Sequence, residues 1–344
     1  MKLHYAAAGV LLALSPLSAS QAANIGFYGQ IHVSVDHLDN DVDSGLNISS
    51  NSSRIGVKTS HEVQPGLQVI GQIEALVRVE EGDTDSDYFD ARDTFVGLQG
   101  DFGMARIGYF DTPMKKVRSR TDFFGDKVGD ARNIVAGGGV NLDKRFRNGI
   151  HYQSPVFNNL TVDVHYSTND ATGSTTQNEN DAISSSITYS VDGLLVILAY
   201  ERQNQLDDAQ GNAVATPSGL RLGTRYKLND SWQLAAFYQQ TKNFSGGDRD
   251  AWGLGLSYKL GAYDLSAQYY QAESADVSDS DASMLALGVD RTLNKSLSFY
   301  AAVAMTDNAV RANFNVSAGG HGKHLIITHG ADPVALSFGT IYKF

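Results

Sequence analysis

Apolar and polar residues alternate along most of this chain. In residues 25–36, 252–260 and 297–305, nearly every second residue is apolar, and those between are polar, small or tyrosine. Successive side chains of a β-strand point to opposite faces, so each segment predicts a strand with one apolar face. Past residue 23, no run of eighteen apolar residues occurs, and the sequence therefore predicts strands rather than membrane-spanning helices.

The connections between these segments are of two alternating kinds. Seven are short turns, at residues 64–66, 101–103, 158–159, 192–193, 229–230, 261–262 and 294–295. Eight are long and polar, at residues 38–50, 80–87, 112–143, 169–180, 204–217, 243–248, 274–281 and 308–332. Together they join sixteen strands of about ten residues each, a length that suits a transmembrane barrel.

The character of the two faces separates a membrane barrel from a soluble one. Sixteen strands enclose a lumen too wide for side chains to fill, so a soluble barrel with an apolar interior is disfavoured. The polar face carries long charged side chains, as a water-filled lumen requires, and the apolar face must then meet lipid. We therefore predict an all-β fold, a 16-stranded antiparallel transmembrane β-barrel. Residues 194–199 depart from the pattern, because they are apolar on both faces.

Both ends of the chain carry signals for export. Lys2, an apolar run over residues 6–14 and small residues up to Ala22 predict a cleaved secretory signal peptide, residues 1–22. Residues 23–344 then form a single barrel domain. At the other end the chain stops on Phe344, with Tyr342 two residues before it on the same face. This ending resembles the last-strand signal read by the outer-membrane assembly machinery.

Composition removes several classes of function. The chain has no cysteine, so it has no disulfide, thiolate metal site or thiol nucleophile. Its net charge is −11, and loss of Lys2 with the leader leaves 26 basic against 38 acidic residues, or −12. A surface of this sign argues against nucleic acid as a partner.

Candidate metal sites are weak, and we predict no bound metal and no cofactor. Residues 39–45 open like a calcium loop, but the glycine falls one place late and the twelfth position is Ser50. Three histidines in the last long loop have no accompanying carboxylate ligand and are expected to be solvated: His321, His324 and His329.

Catalytic residues are equally hard to find. The G-x-S-x-G nucleophile motif is missing from the sequence, and no nucleophile with a matching base can be recognised. We therefore predict that the protein is not an enzyme, with an outer-membrane barrel enzyme of the lipase or protease kind as the less favoured alternative.

Several short stretches, taken in their order and spacing, indicate a family. They are GFYG at 26–29, SRIGVK at 53–58, RDTFVGL at 92–98, RNGIHY at 147–152 and IYKF at 341–344. On these the mature chain resembles the Gram-negative general porins, trimeric sixteen-stranded diffusion channels. The resemblance implies a homotrimer in outer-membrane lipid and lipopolysaccharide that admits ions and small hydrophilic solutes. It also implies that residues 112–143 fold into the barrel as a constriction loop.

The same resemblance implies where the charges of the pore lie. Two acidic residues of the loop, Asp122 and Asp126, would face a basic wall. That wall would comprise Arg54, Lys58, Arg92 and Arg147. Rings of fixed charge of this kind select ions and orient polar solutes.

The sign of selectivity is less well determined by sequence. Basic residues crowd the first half of the constriction loop: Lys115, Lys116, Arg118 and Arg120. The net charge and the aspartates of two external loops favour cations at the mouth, at positions 83, 85, 87, 276, 279 and 281. A substrate-specific channel for a sugar or an anion stays open as the alternative, and it would need an aromatic slide or a basic pocket.

Overall fold

The computed structural model describes residues 23–80, 89–170, 180–204 and 216–344, so the predicted signal peptide lies outside it. The strands are β1 Asn24–Asp39, β2 Ser44–Ser50, β3 Arg54–Gln64, β4 Leu67–Val77, β5 Phe89–Ala91, β6 Thr94–Gly100, β7 Gly103–Asp111, β8 Arg145–Gln153, β9 Leu160–Ser167, β10 Ala182–Val191, β11 Leu194–Gln203, β12 Ser218–Lys227, β13 Trp232–Lys242, β14 Arg249–Leu260, β15 Tyr263–Ala272, β16 Ala282–Thr292, β17 Leu297–Asn308 and β18 Val334–Lys343. Two helices, α1 Pro113–Thr121 and α2 Arg132–Val135, follow β7. Among the described residues, no helix is long and apolar enough to cross a membrane.

The strands close into one antiparallel barrel. The first and last strands pair from Gln30–Lys343 to Asp39–Val334, so no edge stays open along this seam. Two barrel strands are each interrupted: β2 and β3 both pair with β1, and β5 and β6 both pair with β4. In the described part of the chain, the eighteen segments thus make up sixteen barrel strands, and the predicted fold class is confirmed.

Alternation along each strand divides the wall into two faces. In β1 the side chains of His32 and Asp36 are buried inside the barrel. Val35, which points to the opposite face of the same strand, is exposed on the outer surface. Outward apolar residues such as Ile73 and Leu254 continue this outer surface around the barrel. Apolar side chains on the outside satisfy a lipid environment, and closure pairs the backbone groups that lipid could not hydrate.

One predicted loop is wrong. Residues 38–50 were expected to be a long external connection, but β1 continues to Asp39 and β2 begins at Ser44. A tight turn with Asp41 in the left-handed region (φ 70°) joins them. The polar residues near the turn hid the alternation, which Leu46 and Ile48 continue on the outer face. The predicted loops at 80–87, 169–180 and 204–217 fall largely outside the described residues.

The segment between β7 and β8 packs against the inner face of the barrel. Thr112 caps α1, because its Oγ1 accepts a hydrogen bond from the Lys115 backbone N–H at 3.2 Å. Met114 and Val117 of α1 join a buried cluster with Ile197 and Ala199 of β11. This contact explains why residues 194–199 are apolar on both faces: one face meets the outside and the other meets α1.

Glycines on the wall make room for this segment. A Cβ atom on Gly223 of β12 would lie 2.6 Å from Val117 Cγ1, and one on Gly288 of β16 would lie 2.8 Å from the Phe124 ring. Both distances are shorter than van der Waals contact allows. Larger residues there would push the segment away from the wall.

Candidate constriction site

A buried arginine anchors both ends of the 112–143 segment to the wall. The Arg221 side chain, on β12, is fully buried, and its Nη2 lies 2.6 Å from Asp143 Oδ2. Its Nε donates to Gln239 Oε1 at 2.7 Å and its Nη1 to the Met114 carbonyl at 3.2 Å. Asp143 also accepts from Arg118 Nε at 3.1 Å. One guanidinium therefore fixes the start of α1 and the end of the segment to adjacent strands.

Asp122 points towards the wall. Its side chain is only 1 % exposed and lies 3.3 Å from Arg118 Nη1. Its Oδ1 accepts from the Phe124 N–H at 2.8 Å and from Gln268 Nε2 of β15 at 3.0 Å. Burial, reinforced by the charge of Asp130, raises the pKa of Asp122 to about 7, although Arg118 opposes the shift. The geometry is that of an anchor between segment and barrel.

Asp126, by contrast, lies on the side that faces Arg54. It has a left-handed backbone (φ 63°), and its carboxylate lies 2.6 Å from Arg132 Nη2. The other carboxylate oxygen is 4.0 Å from Arg54 Nη1. Burial works to raise the pKa of Asp126, but the charges of Arg132 and Arg54 outweigh it and hold this pKa well below its usual range.

Two of the predicted wall arginines meet at a glutamate. Arg92 Nε lies 2.7 Å from Glu74 Oε1, and Arg54 Nε lies 3.9 Å from Glu74 Oε2. Tyr28 donates its hydroxyl to the same carboxylate at 2.8 Å, and Lys58 Nζ lies 4.5 Å from the centre of the Tyr28 ring. The structure therefore brings Arg54, Lys58 and Arg92 onto one stretch of wall.

Glu74 was missed in the sequence analysis, although a signal for it existed. It is the one charged residue in β4, whose sequence is LQVIGQIEALV. A lone carboxylate in so apolar a strand needs a cation beside it if it is to stay charged.

The structure does not bring Arg147 to this group. Arg147 is exposed, its guanidinium lies 5.7 Å from the Tyr109 ring, and its Nη1 donates to the Asp170 carbonyl at 3.4 Å. Its neighbour Arg145 faces inward instead, with Nε 2.6 Å from Asp93 Oδ1.

A bulge explains why Arg145 faces inward and Arg147 is exposed. The pairing of β7 with β8 shifts register between Gly108 and Phe110, so simple alternation does not hold across β8.

A second loop contributes to the interior. In the connection between β17 and β18, the Val316 carbonyl accepts from the Gly129 N–H at 2.8 Å and the Ala318 N–H donates to Asn133 Oδ1 at 2.7 Å. His321 Nε2 lies 3.0 Å from Asp36 Oδ2, and both side chains are fully buried. The expectation that His321 lies in a solvated loop is thus wrong, since β1 supplies a buried carboxylate to hold it.

Among the described residues, the interior carries more unpaired positive than negative charge. Inward carboxylates such as Asp93 and Asp163 lie within ion-pair distance of a basic side chain, whereas the buried Glu201 of β11 has no basic group of the described residues within 4.0 Å. Four cations of the wall and of α1 have no carboxylate of the described residues within 4.0 Å: Lys58, Arg106, Arg120 and Arg225. The chain as a whole is therefore net negative, whereas the excess of unpaired charge inside the barrel is positive.

A closed barrel with an apolar exterior, a charged interior and loops folded inward is the architecture of an outer-membrane barrel protein. The chain belongs to the Gram-negative porin family, whose model matches residues 6–310, and its location is the outer membrane of a Gram-negative bacterium. Major outer membrane protein P.IB of Neisseria meningitidis serogroup A is 26 % identical over 219 residues, which are 58 % of this chain and 61 % of that protein. The match thus spans about three-fifths of that relative.

Solved structures show the same fold. The anion-selective porin from Comamonas acidovorans superposes with a TM-score of 0.80 at 22 % identity, over 94 % of this chain and 100 % of that one. The trimer form of OmpT of Vibrio cholerae has a TM-score of 0.69 at 19 % identity, over the same shares of the two chains. At these identities the likeness establishes the architecture.

Proposed function

We propose that the protein is a general diffusion pore that passes ions and small hydrophilic solutes through the outer membrane. The observation that carries this proposal is the partition of the wall, with exposed apolar residues outside and charged residues inside. Such an interior offers water and solutes a polar path through the bilayer. The protein is accordingly a channel rather than an enzyme.

Liposome swelling tests this function. Vesicles that contain the purified protein are diluted into isotonic solutions of neutral sugars of increasing size, with protein-free vesicles as the control. We expect swelling rates that fall steeply as the sugar grows. Rates equal to those of the protein-free vesicles for every sugar would refute the proposal.

The constriction, in this proposal, lies between the 112–143 segment and the wall. Asp126 supplies the acidic charge at the edge of this opening, and Arg54, 4.0 Å from it, supplies the basic charge with Arg92 and Lys58 nearby. Asp122 lies on the side of the segment that meets the wall and holds it there by accepting a hydrogen bond from Gln268. Fixed charges of this kind orient dipolar solutes and filter ions.

We further propose that the pore prefers anions, which reverses the cation preference expected from net charge. Lys58, Arg106, Arg120 and Arg225 provide uncompensated positive charge inside the barrel, whereas the acidic loop at residues 274–281 follows β15 at its mouth. The Comamonas relative is itself described as anion-selective. The reversal potential in a potassium chloride gradient decides the sign, and a cation-selective potential would refute this part.

The proposed assembly is a homotrimer, as in the trimer form of the Vibrio protein. Within one chain, Phe344 closes the barrel seam: its carbonyl accepts from the Gly29 N–H at 2.9 Å, and its N–H donates to the Gly29 carbonyl at 3.1 Å. Tyr342 and Phe344 hold their rings 5.7 Å apart. We propose this pair as the signal for the assembly machinery. Deleting Phe344 should reduce the amount of barrel in the outer membrane, measured against total synthesis.

A further inference from the structure

A second charged site lies at the external end of the barrel, away from the proposed constriction. Arg249, the first residue of β14, lines a cavity of about 990 Å³. The tip of the 112–143 segment, at Gly138 and Gly139, forms one side of this cavity. The connections after β13, β15 and β17 supply the rest, including Ser280 and Arg311.

The Arg249 side chain is buried without a counter-ion in contact, and the charge of Asp281 acts on it from beyond 4.0 Å. The residue is 7 % exposed, and its Nε and Nη1, which are both buried, have no hydrogen-bond partner among the residues that the structure describes. Its Nη2 makes one long contact, 3.4 Å to Ser280 Oγ, and Phe314 packs its ring 4.9 Å from the guanidinium carbon. No carboxylate of the described residues lies within 4.0 Å of it. A buried, unpaired guanidinium is costly, so this one needs an explanation.

The rest of the cavity lining adds positive charge. Arg311 also lacks a carboxylate within 4.0 Å in the described part of the chain, and His329 lies in the same lining. Of the described residues that line the cavity, Asp276 alone is acidic, and its Oδ2 already accepts from the Asp248 N–H at 3.4 Å. A cavity with this balance attracts negative charge even though the chain as a whole is acidic.

We infer that this cavity is a binding site for an oxyanion, the phosphate or carboxylate group of a soluble solute. Guanidinium groups recognise planar and tetrahedral oxyanions through several N–H donors. Ser280 and Nη2 of Arg249 form the polar edge that the anion meets, and Arg311 supplies the second charge. The site faces the lumen side of β14, opposite the outward residues Trp252 and Leu254, so lipid headgroups do not reach it.

The inference deepens the proposed function, because it places an anion-collecting site at the mouth of the pore and so rests on that function. It assigns Arg249 a ligand-binding role at the entrance, separate from the Arg54 and Arg92 group.

Binding of inorganic phosphate to the protein in detergent micelles tests the site, followed by ³¹P line broadening at constant ionic strength. We expect saturable broadening in the unmodified protein and at least a tenfold loss of affinity in Arg249→Gln. Arg249→Lys keeps the charge but loses the several N–H donors of the guanidinium, so its affinity for phosphate should fall between those of the other two proteins. Arg291→Gln is the matched control, since Arg291 stacks on Tyr263 at the opposite end of the barrel. Heat-modifiable mobility on gels verifies that each variant is folded.

Equal affinity in Arg249→Gln and the unmodified protein would overturn the inference, as would an equal loss in Arg291→Gln. The assay measures binding without transport, so it separates two failures. Arg249-dependent binding together with silent swelling assays would refute the pore and keep the site. Normal swelling together with Arg249-independent phosphate binding would keep the pore and refute the site.

Discussion

Arg221 offers the sharpest test of how the inward segment is held. Replacing it by methionine keeps an unbranched apolar stem and removes the guanidinium contacts to Asp143, Gln239 and the Met114 carbonyl. Asp143 stays buried with Arg118 Nε at 3.1 Å as its remaining cation. Removing one member of a buried ion pair costs about 3–5 kcal/mol, and we expect Arg221→Met to lose that much stability.

Unfolding by guanidinium chloride in detergent, followed by tryptophan fluorescence, measures this loss. Arg225→Met is the matched control: Arg225 faces inward on the same strand but has no carboxylate of the described residues within 4.0 Å. We expect it to cost about 1 kcal/mol, for its hydrogen bond to Gln233 and its stacking on Phe123.

A double-mutant cycle isolates the ion pair itself. Asp143→Asn combined with Arg221→Met should cost clearly less than the sum of the two single changes, because each single change strands a buried charge. If Arg221→Met unfolds at the same denaturant concentration as Arg225→Met, this account of the anchor is refuted.

Three further changes probe the remaining parts of the site. Arg54→Ser or Arg92→Ser should lower the anion-to-cation permeability ratio about two- to fourfold. The reason is that one charge about 6 Å from a passing ion changes the energy of an anion and of a cation by about 0.4 kcal/mol each, with opposite signs, at 0.1 M salt. An unchanged reversal potential would show that the residue does not contribute to ion selectivity. Because the raised pKa of Asp122 lets the folded chain hold a proton that the unfolded chain releases, stability should fall as the pH rises from about 4 to about 7. Asp122→Asn should flatten that slope in unfolding experiments, and an unaltered slope would contradict the assignment. His321→Phe should free the loop from Asp36 and raise the single-channel conductance, whereas an identical conductance would show that this contact does not narrow the pore.

Much of the architecture could be predicted from sequence, because lipid and water impose a strict alternation on each strand. The short turns and the closing Phe344 follow from local patterns. The extent of the first hairpin does not follow from such patterns, because polar residues near its turn resemble a loop even when their backbone is paired.

The site was harder to predict, because it depends on contacts distant in sequence. The family resemblance implies Arg54 and Arg92 as wall residues, but it does not reveal Glu74 of β4, which lies near both. The inward orientation of Arg145 depends on a register shift that alternation does not reveal. The orientation of Asp122 towards Gln268 depends on how the segment packs.

Hidden interior partners also explain residues that the pattern left unassigned. The apolar inward face of residues 194–199 matches α1, which lies in the connection between other strands. His321 is buried because it meets Asp36, which is 285 positions away. In both cases the loops supply a core that an empty barrel would lack.

Electrical conductance across a planar lipid bilayer tests the central claim most directly. Purified protein added to one side should produce discrete current steps, grouped in threes if the assembly is trimeric, with conductance that grows in proportion to the salt concentration. Such behaviour requires a continuous aqueous path lined by the inward polar side chains. A folded, inserted protein that carries no current at any salt concentration would contradict the account.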